Sequence, residues 1–318
     1  MKLLRLMGIL FLLLAAGCGP AAPEPGGYGV EDVRGKSVRL SHPPQKILTD
    51  SLHLDETLLT LVPAERLAGA YYLDREPGIS FVVEETRKVE PVLRDYTPET
   101  VARVKPDLFL ASTWSDPGLI QKVEEMGIPV VVCYGPVDLE QIQKNVRLMA
   151  HAVGNPQGGE KVISQMEERL QQTEQVLSGI QGPEPVGMLV SLMSRYGGTG
   201  SLYDDLCRRA HIRNGLAEAG LKNGQPLTRE AILQANPDFF LVSLPYGEEK
   251  EAYDRFQEQF FGDPSIQAVK GYARRVALPD RYVYDASPMA VYGIQALANG
   301  AYGRELFKLG PEPLLKGY

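Results

Sequence analysis

The residues of this chain best placed to do chemistry are aromatic. Tyr71 and Tyr72, Trp114, Tyr134, Arg195 with Tyr196, and Tyr246 each stand just after a short apolar run that reads as a strand. In parallel sheets ligands gather beyond the carboxyl ends of the strands, so these positions are where a bound molecule would be met. Aromatic faces with one polar handle suit a large, planar or chelated molecule, and a phenolate can coordinate ferric iron. Any one of them alone reads as a loop residue covering core; the set carries the argument. Arg195 is the candidate for an anionic group on such a ligand.

Other chemistries find little support. His42, His53, His151 and His211 are scattered without the spacing of a metal site. His53, just after the run Ile47 to Asp50, is the one placed to reach the same region, and by position it also reads as a helix-start residue. There is no Gly-x-Ser-x-Gly elbow, no Cys-x-x-Cys and no His-Glu-x-x-His. Gly197 to Ser201 precedes a helix as a phosphate loop would, but it lacks the Gly-Lys-Ser/Thr ending, and Ser201 with Asp204 reads as a helix cap. Asp204 and Asp205 read as first-turn charges. No catalytic set, metal set or cofactor follows.

The elements that position these residues are legible from a repeat. Thr97-Pro-Glu99, Val101, Pro106-Asp107 and Leu108-Phe-Leu110 recur without a gap as Thr228-Arg-Glu230, Ile232, Pro237-Asp238 and Phe239-Phe-Leu241, and the register continues to Ser112 and Ser243. Each copy reads as a capped short helix, a Pro-Asp turn and a buried strand. Strand and helix alternate on both sides of a helical stretch. Asn155-Pro156 starts its long member, in which Val162, Met166, Leu170, Thr173 and Leu177 recur at spacings of three and four. A helix of about 22 residues is about 33 Å long and can span two small lobes; packing on one lobe is the alternative. The expected fold is α/β, with two Rossmann-like lobes of mostly parallel strands joined by one long helix and a ligand cleft between them. The expected boundaries are residues 31–137 for the first lobe, 138–182 for the connecting helices and 183–318 for the second lobe.

Residues 1–17 read as a leader: Lys2 and Arg5, an apolar Leu6 to Leu14, then Ala15-Ala-Gly17 as a cleavage site. The apolar run is too short to span a membrane. Residues 18–30, rich in Gly and Pro, read as a flexible tether. The formal net charge is −7, and removal of the leader makes it more negative, a surface unsuited to nucleic acid. Of the three cysteines, Cys133 and Cys207 could pair, although two buried thiols fit their apolar surroundings better.

Cys18 at the leader's end resembles a bacterial lipobox, where the cysteine takes a lipid. From about Val33 to Gly303 the chain resembles the substrate-binding proteins of ABC importers for ferric siderophores, haem and cobalamin. The likeness rests on Gly35-Lys-Ser-Val38, Pro44-Gln-Lys-Ile47, the two Glu and Pro-Asp repeats, and Gly198-Thr-Gly-Ser-Leu-Tyr-Asp-Asp205. It departs at Arg208-Arg-Ala-His-Ile212 and at Leu61-Val-Pro63. The resemblance implies a monomeric extracytoplasmic receptor, anchored to the membrane through Cys18, that hands a ferric siderophore or similar metal chelate to a permease and its ATPase. Haem or cobalamin is the alternative cargo. It also implies that Glu99 and Glu230 dock into the permease. An enzyme of metal-chelatase type is the rival from another class, with only His53 available for its cleft.

Overall fold

The computed structural model describes residues 27–244 and 250–318. Its strands are β1 (Tyr28–Glu31), β2 (Ser37–Leu40), β3 (Ile47–Thr49), β4 (Ala70–Tyr71), β5 (Val92–Leu93), β6 (Leu108–Ser112), β7 (Val130–Cys133), β8 (Val186–Val190), β9 (Arg213–Asn214), β10 (Phe239–Leu244) and β11 (Arg275–Pro279). Two separate parallel sheets form the framework, in the orders β3-β6-β7 and β11-β10-β8-β9. Every residue of β6 is buried. Its alternate side chains feed two layers, Leu108 and Leu110 on one face and Phe109 and Ala111 on the other.

The two repeat copies fold alike. Thr97 caps the helix Pro98–Val104 by accepting from the Thr100 N–H at 3.2 Å, and Thr228 caps Arg229–Ala235 by accepting from the Ala231 N–H at 3.2 Å. Both helices end on a left-handed residue, Lys105 with φ 54° and Asn236 with φ 40°, and each then turns through Pro-Asp into an interior strand of its sheet.

The helix Pro156–Leu177 runs between the sheets. At its start the Asn155 amide donates to the Leu61 carbonyl at 2.9 Å, on the first lobe. At its far end Thr173 Oγ1 accepts from Gln295 at 3.0 Å and Glu174 lies 2.9 Å from the His211 ring, both on the second. The helix therefore spans, as its length implied. A second seam joins the lobes directly. The Arg281 backbone N–H donates to the Gly78 carbonyl at 3.0 Å and its guanidinium to the Pro77 carbonyl at 2.9 Å, with Phe81 packed on Tyr282 and Tyr292. The end of the chain returns to the first lobe, where the Gly317 N–H donates to the Thr60 carbonyl at 2.8 Å.

Two expectations need correcting. The tether reading reached residue 30, but Tyr28 already begins a strand: Val30 pairs with Val38 and is buried, and the Tyr28 hydroxyl donates to the Ala152 carbonyl at 2.7 Å. Glycine and proline content masked an alternation too short to read. The apolar run read as a strand ahead of Tyr71, Leu67 to Ala70, is not a full strand of the first sheet; Leu67 makes one bridge to Ile47 and the chain then peels off as β4 to pair with β5. Cys133 and Cys207 are both buried and free.

Candidate functional site

On the first lobe, the turn after β6 is built by its own hydroxyls. Ser115 Oγ accepts from the Ser112 N–H at 2.8 Å, Ser112 Oγ from the Trp114 N–H at 3.2 Å, and Thr113 Oγ1 from the Gly135 N–H at 2.9 Å. This tie across to the end of β7 lays the Trp114 indole flat against Gly135, where any side chain would collide with the ring. The indole and the His53 ring pack edge to face, with ring centroids 5.1 Å apart. Trp114 is nonetheless 58% exposed, so one face is free. His53 is buried, its Nε2 has no partner, and burial depresses its pKa to about 4, which keeps the ring neutral.

Tyr71 and Tyr72 form an edge-to-face pair at 4.9 Å, with Tyr96 6.1 Å from Tyr71 and the Arg94 guanidinium 4.2 Å over Tyr72. Behind them lies a group of buried carboxyls that sequence reasoning missed. Asp55 accepts from the Thr49 hydroxyl at 2.9 Å and the Tyr71 N–H at 3.1 Å. Asp50 is pushed up to about 6 by burial, Asp55 is raised by burial, and Asp74 is raised by burial and by the neighbouring Asp55, with neither of its buried oxygens finding a donor. Burial, then Tyr72, Asp74 and Asp50, push the Tyr71 hydroxyl up to about 12. Its surroundings thus favour a phenol over the phenolate considered from sequence. A signal for the carboxyls existed: Leu52–Leu61 lacks a polar face, and a helix buried all round must bury its acids.

The second lobe presents a different surface. Leu192, Met193 and Leu244, at the carboxyl ends of β8 and β10, are exposed. Arg195 and Tyr196 line an open pocket of about 460 Å³ with Leu192, Met193 and Asn223; Arg195 Nη1 donates to the Gly224 carbonyl at 3.1 Å. Tyr196 is less available than its position implied. Its hydroxyl accepts from the Tyr203 N–H at 3.2 Å and its ring packs at 5.4 Å against Tyr284, which in turn donates to Ser191 at 2.7 Å. Tyr134 is half-buried and pinned, its N–H donating to Asn145 at 2.8 Å and its carbonyl accepting from it at 2.9 Å. Tyr246, like Cys18, lies outside the described residues. A pocket of about 520 Å³ beside the helix Lys250–Gly262 contains none of the residues singled out from sequence. Among the described residues no group of three or more His, Cys, Asp or Glu side chains is arranged to hold a metal ion, and no helix is long and apolar enough to cross a membrane.

Glu99 and Glu230 are exposed in the first turns of their equivalent helices. The Glu99 carboxyl is held below the ordinary carboxylate range by its own backbone N–H and the Thr97 hydroxyl.

Two parallel sheets bridged by one long helix, with aromatic and apolar side chains past the strand ends of both, define a two-lobed α/β binding protein. A family model described as periplasmic binding protein matches residues 74–276, more than half of the chain, and the chain belongs to that family. Among solved structures it is similar to the periplasmic heme-binding protein RhuT from Roseiflexus sp. RS-1, with 22% identity and TM-score 0.70 over 81% of this chain and 98% of that one. It is also similar to the periplasmic heme-binding protein BhuT in complex with two hemes, with 20% identity and TM-score 0.68 over 82% and 99%. The molybdate-binding MolA of Haemophilus influenzae follows at 15% identity and TM-score 0.68, over 87% and 91%. No curated protein matches in sequence.

Proposed function

We propose that this protein is the extracytoplasmic solute receptor of an ABC importer, capturing a ferric siderophore or similar metal chelate between its lobes and delivering it to the permease. The observation that carries this reading is the exposed Trp114 face on one lobe and the exposed Leu192 and Met193 on the other, all just past strand ends. Such surfaces suit a ligand with broad apolar faces and few charges. Arg195 is the cation on offer in the pocket of the second lobe, while the first lobe is backed by acids. This balance favours a neutral or weakly anionic chelate over a highly anionic one. In this reading residues 31–137 and 183–318 are the two jaws, Tyr71, Tyr72, Tyr134 and Tyr196 flank the cargo, and Glu99 and Glu230 dock on the permease. Cys18 carries the lipid that holds a monomeric receptor at the membrane, and no reaction is catalysed.

Haem is the second reading of the same cleft. An exposed indole on one lobe with exposed apolar side chains on the other suits a macrocycle, and RhuT and BhuT are described as heme-binding. Titration of the protein with a ferric hydroxamate, a ferric catecholate, haem and cobalamin, followed by tryptophan fluorescence, tests both. Trp114 is the single tryptophan, so a saturating change reports its own surroundings. Saturation by the hydroxamate supports the siderophore reading, and saturation by haem alone replaces it with the second. No response to any of the four would sink both.

A further inference from the structure

Glu56, on the helix Leu52–Leu61, and Asp285, in the turn ahead of the helix Ala290–Tyr302, meet carboxyl to carboxyl in the seam between the lobes. Both are buried, at 0% and 5% exposure. The donors around them are unevenly distributed. Glu56 Oε1 accepts from the Phe81 N–H at 2.8 Å and from Ser80 Oγ at 3.3 Å, whereas Oε2 is buried and receives no donor. Asp285 Oδ1 accepts from the Ser287 N–H at 2.9 Å and Oδ2 from Ser287 Oγ at 2.9 Å. Two ionised carboxylates in contact inside a protein repel strongly, so the arrangement requires one proton between them. Glu56 Oε2 is the atom free to carry it and the Asp285 carboxylate the group placed to accept it.

We propose that this shared proton is a latch between the lobes: while it is held, the Glu56–Asp285 bond closes the seam, and its loss loosens the seam. The neighbouring charges do not supply a substitute. Asp74 acts on Glu56 as a further acid, and Asp55 is engaged with Asp74. Arg281 is committed to the Pro77 carbonyl and to Glu312. His53, one turn before Glu56, is neutral. Burial and then the mutual contact raise the proton affinity of Glu56 well above the ordinary range, and burial raises that of Asp285. A group whose folded pKa is raised contributes stability that is complete below its unfolded value, about 4, and is lost as pH rises through the folded value. Acid therefore tightens this seam and alkali loosens it. The proposal holds whatever the cargo is.

The Phe81 amide, which donates to Glu56, reports seam opening through its hydrogen exchange. In the ligand-free protein its protection, corrected for the intrinsic effect of pH, should fall by about tenfold per pH unit above pH 5 until the pair ionises. In Asp285→Asn and in Glu56→Gln an amide donor replaces the shared proton, and the profile should become flat. A flat profile in the wild-type protein overturns the latch without any variant. So does an unchanged slope in either substituted protein.

Discussion

Asp107 and Asp238 occupy the same point in the two lobes and tie the same joint. The Asp107 carboxylate accepts from the Gln45 N–H at 2.7 Å and the Lys46 N–H at 2.9 Å, just ahead of β3; that of Asp238 accepts from the Val186 N–H at 2.8 Å, where β8 begins. The Pro-Asp turn read in the sequence as a loop signal is thus also the clamp that sets the register between neighbouring strands. Charged acceptors of this kind contribute about 1.5–3 kcal/mol. Asp107→Ala and Asp238→Ala should each lower the unfolding free energy by about that amount in a urea titration. A change within the scatter of surface substitutions would remove the clamp from the account.

Gly135 should control the indole. Because a side chain there collides with Trp114, Gly135→Ala should shift the tryptophan emission in the free protein and weaken chelate binding by about fivefold, the equivalent of about 1 kcal/mol of lost aromatic contact. Unshifted emission would show that the ring has another place to rest.

Docking and capture should separate. Glu99→Ala and Glu230→Ala remove exposed carboxylates that line neither pocket, so cargo affinity in solution should stay unchanged while permease-dependent uptake falls by at least about tenfold. Uptake equal to wild type would defeat the docking role. Lowered affinity would place these residues in the cleft instead.

Asp50 makes a pH-dependent cost visible. Its pKa, raised by burial to about 6 from 3.8, means the folded chain holds a proton that the unfolded chain releases, so its contribution is lost as pH climbs from about 4 through 6. Asp50→Asn should therefore stabilise the protein by roughly 3 kcal/mol at pH 8 and change little at pH 4. Equal effects at both values would show that ionisation is not what the substitution removes.

The framework was legible because it is repeated and periodic. The capped helices at Thr97 and Thr228, the strands after Asp107 and Asp238, and the long helix after Asn155 all carry local signals. What stayed hidden depends on contacts distant in sequence. β5 and β9 are two-residue strands with no periodicity to read, and the partnership of Glu56 with Asp285 exists only after the lobes meet. The placement of Trp114 followed from its strand. Its seat on Gly135 did not, because a glycine in a loop does not announce what lies on it.

The last residues of the chain sit against its first large helix: Gly317 binds the Thr60 carbonyl, Leu315 is buried, and Gly158, early in the spanning helix, touches the same segment. The packing around Thr60 and Gly158 thus cannot be finished until residues 315–317 are in place. Contacts of such sequence separation slow folding.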